Sequence, residues 1–468
     1  MNSMTLHAVW LLAFLTVLPA AAQPAPPDFI LGMDVSFLDQ LEEHGAQYTE
    51  NGEAVDLLAL LHRHGVNTVR LRLWHTPLSG YNDLARTLRM AQRVRDAGLH
   101  LLLDFHYSDT WADPGHQDKP RAWQSLGFEA LTDSVRAYTS RVMTALKNQG
   151  TLPTFVQVGN EISVGLLWND GRVGGSYDTP AQWQKLATLL GAAVEGVRAP
   201  LTDGETVQVA IHTDRGGDVN GARWFFDNLR NQNVDFDLIA LSFYSFWHGD
   251  LDDLSRTLDA VAQRYGKPVL VAETAYPWTL QWYDNTNNII GNTGQLLPGY
   301  PATPEGQRAF LQALIATIQD TPGERGYGFV YWAPEWMAVP GVGSSWENLA
   351  LFDNHGELLP AIQAVEAAAG VANETPLALP SAARPYNLPN PFTDVTRIRY
   401  VLQKPARVTL TVYDTLGRRV FLQEQGRTET SGSGEILFDG SHLPAGLYAY
   451  HLLTPEGSAG TGVMVIGH

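Results

Sequence analysis

Between residues 29 and 359, short and nearly continuous apolar runs alternate with longer amphipathic stretches. The short runs are Ile30–Val35, Thr68–Leu73, Leu99–Asp104, Phe155–Asn160, Val207–His212, Leu238–Phe243, Val269–Glu273 and Tyr327–Trp332, and they read as β-strands. Among the longer stretches, Asp56–His64, Thr87–Ala97, Phe128–Lys147, Trp183–Val197 and Pro304–Gln319 space their apolar positions as helices do. Strands that are apolar on both faces belong to a parallel sheet covered by helices. Eight such units predict an α/β fold, a (β/α)8 barrel, with its functional site at the carboxyl ends of the strands. A doubly wound open sheet is disfavoured, because no glycine-rich phosphate turn follows the first strand.

Residues 366–384 lose this periodicity and read as a linker between a first domain over 28–365 and a second over 385–468. In the second domain Thr396–Val401, Arg407–Tyr413, Arg419–Gln423, Gly434–Phe438, Gly446–Leu453 and Gly460–Val465 are short strand candidates separated by Gly, Pro and Asp turns. That texture predicts a small all-β sandwich. At the other end, the apolar run from Ala8 to Leu18 is too short to span a membrane. Ala20 and Ala22 fit cleavage before Gln23, so residues 1–22 read as a signal peptide, although Met1 to His7 holds no Lys or Arg. Secretion follows as the expectation, with retention at the cell surface left open.

Composition narrows the chemistry. A formal charge of −18 argues against nucleic acid and anionic membrane surfaces as partners. The absence of cysteine removes disulfides, thiolate nucleophiles and cysteine-based metal sites. His62-Arg63-His64 and His75 lack the HExxH spacing of a metal site, and no metal ligand set is assigned. No Walker-type lysine motif or nucleophile elbow is present.

What remains at the strand ends is carboxylates and aromatic rings. Two apolar runs end on glutamate: Val156-Gln157-Val158-Gly159-Asn160-Glu161 and Pro268-Val269-Leu270-Val271-Ala272-Glu273. They are the fourth and seventh strands, nearly opposite each other across a barrel mouth, and a pair of carboxyl groups is the minimum apparatus for cleaving a glycosidic bond. A lone glutamate at a strand end more often pairs with a neighbouring arginine, but here Asn160 stands beside Glu161 to hold a sugar hydroxyl. Other strand ends supply candidate substrate contacts: Arg70, Trp74, Asp104, His106, Asp113, His212, Tyr244, Trp247, His248, Trp278, Trp332 and Trp336. Arg70 beside Glu273 would keep that carboxylate ionised as a nucleophile, and a less stabilised Glu161 would retain its proton and act as the acid. Of the 13 tryptophans, one lies in the leader and only Trp183 and Trp224 fall in helical segments. The others cluster at strand ends and in the loops after them, where rings offer flat apolar faces to pyranose C–H surfaces; about half would serve only to pack loops.

These stretches resemble glycoside hydrolase family 53, the endo-β-1,4-galactanases. The likeness is carried by Gly32-Met33-Asp34-Val35-Ser36, Val69 to Trp74, Asp104 to Pro114, Gln157 to Glu161, Glu273 to Trp278, Phe329 to Trp336 and Ser345 to Asp353. The resemblance implies retaining hydrolysis of β-1,4-galactan, the side chain of type I arabinogalactan in pectin, with Glu161 as acid/base and Glu273 as nucleophile. Alternatives are another clan A endo-glycanase, such as a β-1,4-mannanase or endoglucanase, and a non-catalytic glycan-binding surface protein. Some bacterial members hold calcium between the loops after strands seven and eight. Here Asp284, Asn288 and Glu347 lie in that region with a different acidic spacing, so no cofactor is required and a structural calcium stays open.

The last domain resembles a type IX secretion sorting domain through Tyr386 to Phe392, Val412 to Arg418 and Leu443 to Tyr448. That likeness implies secretion machinery as a partner. A carbohydrate-binding module is the alternative, but no tryptophan occurs beyond Trp346 to form a sugar platform.

Overall fold

The computed structural model describes residues 25–371, 386–388, 392–402, 404–414, 418–424, 432–455 and 457–467. The predicted signal peptide and most of the predicted linker lie outside the described residues. The chain divides into two compact units, Met1–Ala372 and Asn373–His468.

In the first unit, strands β1 (Ile30–Asp34), β2 (Thr68–Leu73), β3 (His100–Phe105), β4 (Phe155–Val158), β5 (Gln208–Thr213), β6 (Leu238–Ser242), β7 (Val269–Thr274) and β8 (Gly326–Trp332) form a closed barrel. Every pairing is parallel, and β8 closes on β1 with Asp34 opposite Trp332. The helices between them start where the sequence supplies caps. Asp56, Asp83, Thr179 and Thr303 each accept a backbone N–H from the first turn of Leu57–Arg63, Leu84–Asp96, Pro180–Arg198 and Pro304–Gln319. The helix Leu251–Tyr265 has a reciprocal capping box between Asp250 and Asp253. Their apolar faces pack on the outer face of the barrel in one large core.

Inside the barrel, residues two apart point the same way, and the chemistry changes along each strand. Ile30, Leu102, Phe155, Ala210, Leu238, Ala240, Leu270, Ala272 and Val330 form a separate, fully buried apolar plug at the lower end. One step higher the same inward rows become polar: Leu102 gives way to Asp104 and then His106, Phe155 to Gln157, Ala210 to His212, and Ala240 to Ser242. The plug closes the barrel below, so these polar groups are served from the mouth alone.

The sequence expectation for β4 ran to Asn160, whereas the strand ends at Val158. Gly159 has φ +94°, and a Cβ there would stand 2.7 Å from Ile162 Cγ2, so the chain turns at a position only glycine suits. Glu161 follows in the left-handed region at φ +47°, a strained conformation for a residue with a Cβ.

In the second unit the described strands pair antiparallel in two sheets. One sheet has the order β9 (Tyr386–Leu388), β10 (Val395–Leu402), β13 (Gly432–Asp439). The other runs β12 (Arg419–Glu424), β11 (Thr409–Tyr413), β14 (Gly446–Thr454), β15 (Gly457–Ile466). Ile398, Tyr400, Ile436 and Phe438 of the first sheet share a core with Leu410, Val412, Tyr450, Leu452 and Met464 of the second, the arrangement of a small sandwich. Among the described residues no helix is long and apolar enough to cross a membrane.

Candidate active site

A cavity of about 870 Å³ opens at the carboxyl ends of the barrel strands, and both Glu161 and Glu273 line it. Irregular registers next to Ser242 and between Val271 and Thr274 re-aim the ends of β6 and β7 there.

The two carboxyl groups have unlike surroundings. Arg70 Nη1 lies 2.9 Å from Glu273 Oε1, and the Tyr244 hydroxyl donates to Oε2 at 3.0 Å. Arg70 is itself held by Asp34 (2.7 Å), Asp104 (2.9 Å) and Asn160 Oδ1 (2.8 Å), all buried. Among the described residues Glu161 meets no cation: Oε1 accepts the Ser242 hydroxyl at 2.6 Å, and Ser242 Oγ is 2.9 Å from His212 Nε2. Burial pushes both glutamates above the ordinary carboxylate range. For Glu161 the negative charge of Glu273 adds to burial and holds it well above that range. For Glu273 burial is opposed by Arg70 and by the Tyr244 hydrogen bond, which leaves it at about 7 despite repulsion from Asp34 and Asp104. Glu161 therefore keeps a proton after Glu273 has lost its own. Burial also works on Asp104, but Arg70 and His106 outweigh it and hold that group below its usual value. His212 stays neutral, because burial first and Arg70 second depress it well below 6.5.

Of the residues predicted to contact substrate, Arg70, His106, Asp113, Asn160, Tyr244, Trp247, His248, Trp332 and Trp336 line the cavity. Trp247 is 57% exposed at its rim and presents an open ring. Asp104 and His212 stand behind the wall, one bonded to Arg70 and the other to Ser242. Trp74 is buried, donating its indole N–H to His106 Nδ1 at 3.2 Å, and it borders a separate cleft with Trp168 and Lys119. Trp278 also lies away from the cavity, with its indole N–H on the Glu347 carbonyl at 3.2 Å.

Sequence reasoning left unassigned several residues that the fold brings to the site: Asp34, Arg72, Trp111, Asp214, Ser242 and Trp346. Trp111, Trp332, Trp336 and Phe37 form an aromatic wall, with Phe37 stacked on Trp336 at 3.9 Å and the Arg72 guanidinium 4.1 Å from both the Phe37 and Trp111 rings. Asp34 ends β1 much as Glu273 stands near the end of β7, and its place at a strand end was the available signal.

The loop residues considered for calcium lie between the ends of β7 and β8 and bond partly to backbone N–H groups. Asp284 accepts the backbone N–H groups of Thr286 (2.5 Å) and Ser344 (2.9 Å), and Glu347 accepts that of Tyr283 (2.6 Å). Burial leaves Glu347 raised even against these donors. Glu347 Oε2 and Asn288 Oδ1 of the same loops are buried without a hydrogen-bond partner among the described residues. Among the described residues no group of three or more His, Asp or Glu side chains is placed to hold a metal ion.

A closed parallel barrel with two unequal carboxyl groups in a cleft walled by aromatic rings places the molecule among the glycoside hydrolases. Residues 30–365 match the model of glycosyl hydrolase family 53, and the chain belongs to that family. Residues 388–465 match the secretion system C-terminal sorting domain. The "Uncharacterized protein in bgaB 5'region" of Niallia circulans is 47% identical over 74% of this chain and 95% of its own length. The arabinogalactan endo-β-1,4-galactanase of Cellvibrio japonicus is 36% identical over 69% of this chain and 86% of its own. The solved GH53 catalytic domain of Ignisphaera aggregans is 37% identical, with a TM-score of 0.68, over 74% of this chain and 99% of that one.

Proposed function

We propose that this enzyme is a retaining endo-β-1,4-galactanase that hydrolyses the β-1,4-galactan side chains of type I arabinogalactan. The observation that carries the reading is the unequal wiring of two glutamates on one cavity, with a cation and a phenol on buried Glu273 and only neutral groups on half-buried Glu161. The galactanase name of the Cellvibrio relative supports the choice of substrate.

In this reading Glu273, ionised first, attacks the anomeric carbon as the glycosidic C–O bond breaks, and Glu161 gives its proton to the leaving oxygen. Glu161, now a carboxylate, takes a proton from water. The water oxygen displaces Glu273, and the sugar departs with its configuration retained. Arg70 and Tyr244 hold Glu273 in its ionised form, Asn160 meets sugar hydroxyls, and the tryptophan wall takes the apolar ring faces. The reaction draws on no cofactor. The leader over 1–22 and the sorting domain give the route out of the cell, with the polysaccharide and the secretion machinery as partners.

Galactan, mannan and carboxymethylcellulose separate the related activities, and proton NMR of the first oligosaccharides released separates the stereochemical outcomes. The expected result is rapid cleavage of galactan alone, with β-anomeric ends appearing first. An α-anomeric first product removes the double displacement, and comparable rates on mannan remove the substrate assignment. Deleting residues 373–468 is expected to stop export and leave hydrolysis intact.

A further inference from the structure

Glu161 is joined to a hydrogen-bond chain that simple proton donation does not require. Ser242 Oγ donates to Glu161 Oε1 at 2.6 Å, and His212 Nε2 lies 2.9 Å from Ser242 Oγ. The other imidazole nitrogen, Nδ1, receives the Glu161 backbone N–H at 3.3 Å and lies 2.9 Å from the Gln157 amide nitrogen, whose two hydrogens also meet Asp104 Oδ1 at 2.7 Å and Asn160 Oδ1 at 3.0 Å. His212 and Ser242 are fully buried.

We propose that His212 and Ser242 are positioning residues that fix the acid proton of Glu161 on Oε2, the oxygen left free of Ser242; the inference rests on Glu161 being the acid/base. The direction of each bond in the chain follows from the one before it. A nitrogen that accepts a backbone N–H carries no proton, so Nδ1 is the acceptor and Nε2 holds the hydrogen. An Nε2–H donates to Ser242 Oγ and cannot accept from it. The single hydroxyl hydrogen of Ser242 is then directed to Glu161 Oε1, which becomes an acceptor. The carboxyl's own proton is left on Oε2.

The opposite tautomer reverses every bond. Nδ1–H would point at Asn160 Oδ1, 3.0 Å away, an oxygen that already accepts from Arg70 and Gln157. It would also face the Glu161 backbone N–H head-on. Ser242 would then donate to His212, and Glu161 would carry its proton on Oε1, locked inward against the serine. The left-handed backbone at Glu161 is what brings its amide to Nδ1, so the strained turn selects the productive tautomer. The charged groups that act on Glu161 are Glu273 from β7, Asp214 from the loop after β5 and Arg70 from β2. None of them donates a hydrogen bond to it among the described residues.

The test is Ser242→Ala, with Ser242→Thr as the variant that keeps the hydroxyl, on galactan and on phenyl and 2,4-dinitrophenyl β-galactobiosides. A dinitrophenolate leaves without a proton, so kcat/KM for that substrate does not depend on the acid. With Ser242→Ala we expect a fall of about 10²-fold on galactan and the phenyl glycoside, against less than about threefold on the dinitrophenyl glycoside. The alkaline limb of the galactan profile should move to higher pH, because a donor to the ionised form is lost, and Ser242→Thr should restore both features. Equal losses on the two aryl glycosides, or an unmoved alkaline limb, overturn the proposal and leave Ser242 a packing residue. Failure of the unaltered enzyme to cleave galactan, or retention of galactan cleavage by Glu161→Ala, instead overturns the functional reading beneath it.

Discussion

Glu161 and Glu273 are the same side chain on two strands of one barrel, and the protein treats them as different chemicals. Around Glu273 the groups are ionic or strongly donating: Arg70 at 2.9 Å and the Tyr244 hydroxyl at 3.0 Å. Around Glu161 they are neutral: a serine hydroxyl at 2.6 Å, with an uncharged imidazole behind it. Burial costs both carboxylates their hydration, but only one is given a cation in return. In the proposed mechanism the division of labour between acid and nucleophile is set by what stands behind each carboxyl, not by the carboxyls themselves.

The sharpest way to break the comparison is to remove one member. Glu273→Ala is expected to lower kcat on galactan by a factor on the order of 10⁴ or more, with the thermal transition little changed. Residual turnover within about tenfold of the native rate would show that Glu273 is not the nucleophile. Glu161→Gln should cost about 10²–10⁴-fold on galactan and much less on a substrate whose leaving group needs no proton. A uniform loss over leaving groups would make the two glutamates alike after all.

Arg70→Lys probes the ionic side. A lysine carries the charge but not the planar fork that meets Asp34, Asp104, Asn160 and Glu273 together. In the native enzyme the acid limb of kcat/KM should lie well above 4.5, towards about 7, because Glu273 must be ionised to attack. Weakening the Arg70 contact removes stabilisation of the ionised form, so the acid limb should move further up in the variant. A limb that stays in place would sever Arg70 from Glu273 in function. The smallest effect is expected for Tyr244→Phe, which deletes one hydrogen bond to a charged group, worth about 1.5–3 kcal/mol, so kcat should fall roughly 10–100-fold. An unaltered kcat would make the phenol a spectator.

Much of this was legible in the chain itself. The barrel strands follow the apolar runs closely, because a strand buried on both faces advertises itself by hydrophobicity alone. Glu161 and Glu273 stood out because each interrupts such a run. The supporting residues were harder to read for a physical reason. Ser242 is the last residue but one of the apolar run Leu238–Phe243 and looks like an ordinary strand end; its meaning comes from the register that sets β6 beside Glu273 and from the irregular step at that point. His212 and Asp104 were read as substrate contacts, and they act one layer deeper, because position along a strand gives a residue's height but not its depth behind the wall. Trp74 and Trp278 show the same limit for aromatic rings: a tryptophan after a strand can close a loop as readily as line a cleft. The short β4 was readable only in part, since the turn that ends it depends on the positive φ at Gly159.

The dry plug beneath the polar tier has a consequence for the order of events in a turnover. Ile30, Phe155, Leu238, Leu270 and their neighbours are fully buried, so the barrel has one door. The hydrolytic water must come in by the same entrance as the polysaccharide. In the proposed double displacement, a severed fragment that lingers at that threshold would stand in the way of the incoming water and slow release of the sugar still bound to the protein.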